Sequence, residues 1–238
     1  MKELRILMLL ILIALYSVGQ GIPKSKLKVK KDTASGYNTN PNTIPKNTNH
    51  QVYQDWTGNQ ALLEYIGTVS NGVSLGVQVS IDTSIGVRYE VTWQNGAAVI
   101  SHVAIFYKFS NPYQSVLYNF VTHKSHVIQY GGSSDSNPDV DVVGKETIDS
   151  FPCTHLQHGG GTDEVSNYWM SPTVPGFSKL VNALKAINSA FSFSGTIFNW
   201  GGLVRWTIIS NTGNMELHLI EANTDVTLQP KTFEVPTN

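Results

Sequence analysis

The chain has a single cysteine, Cys153, in 238 residues, so no disulfide can form within it and burial alone must hold the fold. Charge is scarce as well. Charged residues make up 14% of the chain and the formal net charge is -1, a balance that offers nucleic acid or any other polyanion no electrostatic footprint. No internal repeat is evident. There is no Gly-x-Ser-x-Gly elbow, no phosphate-cradling loop with its lysine and helix, and none of the tight Cys/His spacings of a dedicated zinc site. These absences leave hydrolase, nucleotide and structural-zinc chemistry without positive support.

An apolar run of membrane-spanning length is lacking too. The opening MKELRILMLLILIALYSVGQG has a basic start at Lys2 and Arg5, an apolar stretch from Ile6 to Tyr16, and small residues Ser17 and Gly19. A spanning helix needs about 20 apolar residues, so this run reads as a cleaved secretory leader over 1–19 and not as an anchor. No cysteine follows it, which excludes lipidation at a mature N-terminal cysteine. The expectation is a periplasmic or extracellular protein without a stable transmembrane anchor. Residues 20–53 are rich in Lys, Asn, Thr and Pro and read as a flexible tether. Within them KLKVKK alternates, and the other readings of that stretch are an edge strand or a weak contact to an acidic surface.

Hydrophobic residues are plentiful, at 41%, and they alternate. After a short helix expected at NQALLEYIGTV, the runs SLGVQVSID, GVRYEVTWQ, AAVISHVAIFYKF, QSVLYNFV and SHVIQY are bounded by turn formers, as consecutive antiparallel strands are. The Asn-Gly pair in WQNGAA predicts a type I′ turn between two of them. The segment 175–191, PGFSKLVNALKAINSAF, places Phe177, Leu180, Leu184 and Ile187 at spacings of three and four and predicts the main helix. LVRWTIIS, MELHLIEA and a closing VTLQPKTFEVP read as further strands. The fold class expected is α+β: a curved antiparallel sheet, a half-open β-barrel over 54–238, wrapped on one main helix.

The order VGKETIDSFPCTHLQ, NYWMSPTVPGFSKL and KTFEVPTN resembles the secreted bacterial domain-of-unknown-function family 4412, over about residues 72–238. The resemblance implies a half-open barrel similar in fold to periplasmic lipoprotein carriers of the LolA and LolB type. The Asn-rich tether and the loops GGSSDSNPD and HGGGTDE depart from that pattern.

Three sets of residues are candidates for a site. Strand alternation puts Phe151, Cys153 and His155 on one face, so Cys153 and His155 are a possible ligand pair for zinc or copper, with His102, His123, His126 or His158 required to converge on them. The bland reading of Cys153 is a small buried packing residue. Asp135, Asp139 and Asp141 are candidates for calcium, but the loop lacks the glycine and terminal glutamate of a standard calcium loop and reads as an ordinary acidic turn. Large aromatics clustered near the C-terminal half suggest an apolar site of Trp169, Leu180, Leu184, Phe198, Trp200 and Trp206. The favoured function is a non-enzymatic envelope domain that binds a lipid or other hydrophobic component, without a cofactor. A ligand-free interaction module and a metal protein are the alternatives. No oligomeric state is legible.

Overall fold

The computed structural model describes residues 58–70, 72–129, 140–159, 164–175, 197, 200–211 and 213–237. They form eleven strands: β1 (Gln60–Val69), β2 (Val73–Asp82), β3 (Gly86–Asn95), β4 (Ala98–Lys108), β5 (Gln114–Asn119), β6 (Lys124–Gln129), β7 (Asp141–Ile148), β8 (Phe151–His158), β9 (Glu164–Ser171), β10 (Gly202–Ser210) and β11 (Gly213–Asn223). All belong to one sheet in the order β6-β5-β4-β3-β2-β1-β11-β10-β9-β8-β7. Each strand pairs antiparallel with its chain neighbour, and the first strand pairs with the last, Leu62 opposite Asn223 through Val69 opposite Met215. The ladder breaks once, between β6 and β7, which are consecutive in the chain yet form the two outer edges.

That break fixes two further properties. Ten antiparallel steps separate β6 from β7, so the two edges run in the same direction and no hairpin can join them. A flat sheet would hold them about 48 Å apart at ~4.8 Å per strand spacing. The connection from Gln129 to Asp141 reaches only about 40 Å when fully extended. The two edges therefore lie closer than a flat sheet would hold them, and the sheet is curved and open along the seam between β6 and β7.

Alternation assigns the two faces. The inner face carries one continuous core that includes Ala61, Leu63, Leu75, Ile81, Val91 and Tyr107 from one half and Leu156, Tyr168, Trp206 and Leu217 from the other. The outer face carries the partners of a polar register. His155, Trp169, Arg205, His218, Ile66, Gly76, Thr92 and His102 stand opposite one another in a single row across eight strands. After β11 the chain crosses the outer face. Gln60 accepts from the Leu228 amide at 2.9 Å, Pro230–Phe233 form a 3-10 turn with Phe233 buried, and Val235 packs on the small outer cluster of Ala104, Phe106 and Tyr118.

Four expectations are corrected. The described residues contain no α-helix and an open antiparallel sheet, so the α+β class with a sheet wrapped on a main helix gives way to an all-antiparallel-β architecture. The helix expected over 175–191 falls, after Pro175, outside the described residues. NQALLEYIGTV is not a helix but strand β1, in which Ala61, Leu63 and Tyr65 are buried at a period of two. Leu62 and Ile66, four apart, satisfied the helical spacing as well, and ladders to both β2 and β11 decide the matter. The closing strand is replaced by the 3-10 turn, because Pro230 supplies no amide to a ladder. Finally, Asn95 pairs with Ala98, so the β3–β4 turn is centred on Gly96 and Ala97, one residue later than expected, with Gly96 at φ 59°.

Candidate functional site

The inner face is not covered uniformly. At one end of the strands, Ala61, Ile81, Val87 and Tyr107 are sealed. Toward β5, however, Val77, Tyr89, Trp93, Val103 and Leu117 remain half-buried while packing on the core. Register makes these five neighbours: Val77, Val91 and Val103 form one row, and Tyr89, Ile105 and Leu117 the next. The strip is apolar, it spans β2 to β5, and it lies beside the open edge at β6. Tyr65, opposite Val77 in the β1–β2 register, donates its hydroxyl to the Leu203 carbonyl at 3.1 Å, and burial pushes the hydroxyls of both Tyr65 and Tyr89 up in pKa.

The residues expected to bind a hydrophobic ligand are placed as follows. Trp206 is on the inner face, almost fully buried, with its ring parallel to Tyr168 at 6.1 Å between centroids. Trp200 is half-buried against the same core. Trp169 lies on the outer face, opposite Arg205 in the β9–β10 register. Leu180, Leu184 and Phe198 lie outside the described residues. The half-buried strip on β2–β5 was not legible as a site. Its residues occupy ordinary alternating positions, and only the relative cover of one end distinguishes them from core.

On the outer face, charged and aromatic side chains form two similar groups. Arg205 pairs with Glu216, which also meets His218 Nε2 at 2.8 Å. The Arg205 guanidinium sits 5.0 Å over the Trp169 ring, His155 stacks on the same ring at 4.4 Å, and Trp169 Nε1 donates to Glu146 at 2.5 Å. On the opposite half, Glu90 accepts from Arg88 and stands 2.5 Å from His102 Nε2. Arg88 lies over Phe106 and Phe120, and His102 stacks on Phe120 at 4.2 Å. In both groups one glutamate joins an arginine to a histidine on a sheet surface. Burial opposes ionisation of Glu90, but the bond from His102 and the charge of Arg88 outweigh it and hold the carboxyl below its ordinary range. An open recess of about 450 Å³ adjoins the second group, between Arg88, Phe106 and Phe120 on the sheet and Lys231, Glu234 and Val235 of the C-terminal segment.

Cys153 and His155 do share the outer face, as alternation requires. The thiol is buried and donates to the Phe151 carbonyl at 3.4 Å, and burial pushes its pKa to about 11. A thiol held there is protonated and a poor nucleophile or metal ligand at neutral pH. His155 is engaged at both nitrogens: Nε2 lies 3.0 Å from Asn167 Oδ1 and Nδ1 3.4 Å from Glu146. Burial, aided by the charge of Arg205, pulls its pKa down against these two partners. Among the described residues no group of three His, Cys, Asp or Glu side chains is placed to hold a metal ion. Asp141 starts β7, while Asp135 and Asp139 lie outside the described residues. Among the described residues, no helix is long and apolar enough to cross a membrane.

No family model matches the chain, so the resemblance to family 4412 stands on its motifs alone, and no curated protein matches it either. Among solved structures the chain is similar to an uncharacterized conserved protein from Thermus thermophilus, at 9% identity over 74% of this chain and 85% of that one, with a TM-score of 0.45. It is also similar to a DUF1329 family protein from Desulfovibrio piger, at 10% identity over 75% and 90%, TM-score 0.35. A LolA superfamily protein from Nitrosomonas europaea is similar at 9% identity over 78% and 93%, TM-score 0.31. Identities and scores this low transfer no residue and no activity to this chain.

Proposed function

We propose that the protein is a non-enzymatic secreted binding domain that takes an apolar group, an acyl chain or an apolar peptide side, against the half-buried strip on β2–β5. The observation that carries this reading is the coincidence of two features: an apolar inner surface left partly uncovered at Val77, Trp93, Val103 and Leu117, and a sheet edge beside it that closes on nothing among the described residues. Burying that surface under a ligand contributes roughly 25 cal/mol for each Å² removed from water. The seam supplies lateral access that a closed barrel lacks. Trp200 and Trp206 pack in the same core as the strip, and Trp169 lies on the opposite face, against Glu146, His155 and Arg205.

The test is extraction of small molecules from protein purified gently from its native source, with mass spectrometry of the extract, alongside Trp fluorescence during titration with a fluorescent fatty acyl probe. Specific co-purifying lipid, and binding abolished in Val103→Glu with the fold retained by circular dichroism, are the expected results. No extractable apolar molecule and equal probe binding by both proteins would sink the reading.

A further inference from the structure

We infer that the ligand of the inner strip is a single-chain amphiphile with an anionic head, a carboxylate or a phosphate. Its chain lies on the strip and its head is met by Lys124 and His126 of β6, which rests on the strip being the binding surface proposed above. Register carries the placement. The row of Val77, Val91 and Val103 continues to Asn119 on β5 and ends at Lys124, and the row of Tyr89, Ile105 and Leu117 ends at His126. Side chains along one such row share a face of the sheet, so both cations stand on the inner side where the strip meets the edge. Both are exposed. Among the described residues, neither is paired with a carboxylate.

The sign of the head follows from how charge divides between the two faces. Strands β1 to β6 carry three acids, Glu64, Asp82 and Glu90, and register puts all three on the outer face, together with Arg88, His102 and Lys108. Lys124 and His126 are the basic side chains left on the inner face of these six strands, and no carboxylate of the six opposes them there. An anionic head is attracted to this end of the strip over a screening length of ~10 Å at 0.1 M salt, and a cationic head is repelled. Asn119, between Val103 and Lys124, accepts from the amides of Val121 and Thr122 at 2.8 and 3.0 Å, so it is committed to the β5–β6 turn and adds no charge. The strip itself favours an alkyl chain over a peptide. Backbone donors and acceptors of a sheet lie in its ladders, so its face offers none to a peptide's own, whereas methylenes bury without leaving a polar group unsatisfied. Four strand spacings separate β6 from β2, about 19 Å along the sheet, a path that suits a long acyl chain.

Tryptophan fluorescence, to which Trp93 of the strip contributes, follows titration of the intact protein with four probes of equal chain length: a fatty acid, an alkyl phosphate, a fatty alcohol and an alkylamine, each below its micellar concentration. Wild type is compared with the paired variant Lys124→Gln and His126→Gln, and with Lys108→Gln as an outer-face control. Wild type is expected to bind the tighter of the two anions roughly fivefold more tightly than the alcohol at low salt, and the amine more weakly than the alcohol. That preference shrinks in about 0.5 M salt. The paired variant loses it, with alcohol affinity and circular dichroism unchanged, and Lys108→Gln keeps it. Equal binding of anions and alcohol by the wild type, or an undiminished preference in the paired variant, overturns the inference and leaves the strip standing as a binding surface. Absence of binding by all four probes overturns the strip reading and this inference together.

Discussion

Replacing Glu90 with Gln tests whether the outer-face charge groups hold the sheet. Its carboxylate is 20% exposed and serves both Arg88 and His102, which are 22% and 30% exposed. A hydrogen bond to a charged group contributes roughly 1.5–3 kcal/mol when well buried, and a solvent-exposed pair less than about 1. Two bonds at this intermediate burial, one of which Gln partly retains, place the loss at about 2 kcal/mol near pH 7. With a urea slope of roughly 2 kcal/mol/M, the midpoint falls by about 1 M. The pH dependence gives a second reading. The folded-state pKa of Glu90 is lowered, so its stabilisation is full above the unfolded value of 4.5 and is lost as pH falls through the folded value. Wild type and variant must then converge in acid. Urea melts of both proteins at pH 7, 5 and 3, followed by far-ultraviolet circular dichroism, measure this. A midpoint shift below about 0.25 M at pH 7, or a gap that persists undiminished at pH 3, refutes the reasoning.

Three further outcomes are expected. Cys153→Ala removes a buried sulfur and costs about 1 kcal/mol by thermal melt while leaving apolar-probe binding unchanged, and in the wild type a thiol reagent at pH 8 reacts no faster than the strand opens. His155 has a lowered pKa, so its contribution is present above the ordinary value of 6.5 and is lost as pH falls through the folded value; an NMR titration places its midpoint below 6.5, and His155→Gln flattens that part of the stability profile. Gly67→Ala drives a Cβ into the Glu216 carbonyl of the neighbouring strand, and melts fall by about 1–3 kcal/mol or more as β1 and β11 part.

Much of the sheet was legible because its strands alternate and its turns carry Gly, Asn and Pro. SLGVQVSID and GVRYEVTWQ lie almost wholly within β2 and β3. β1 was missed because Leu62 and Ile66 also satisfy a helical spacing, and what settles that ambiguity is a partner strand some 150 residues away. The same non-locality hid the outer charge groups. Arg205 and Glu216 are eleven positions apart and become a pair only through the β10–β11 register. The edge at β6 was equally invisible, since SHVIQY reads like any other strand until the count and direction of its neighbours are known. The inner strip depends on which end of each strand is covered, and no local pattern encodes that.

The pairing of the first strand with the last also shapes how the chain is made. β2 to β6, β7 to β9 and β10 to β11 are runs of local hairpins that can form as soon as they emerge, while residues 172–201 separate β9 from β10. β1, however, must wait for residues 213–223 before its second ladder exists. At roughly 5–20 residues per second, that interval is about 8–30 s. Throughout it, a half-sheet with the alternating apolar edge Ala61, Leu63 and Tyr65 is exposed to its neighbours. Nascent-chain crowding, and any holdase that covers β1 during synthesis, should therefore govern yield more than the stability of the finished fold does.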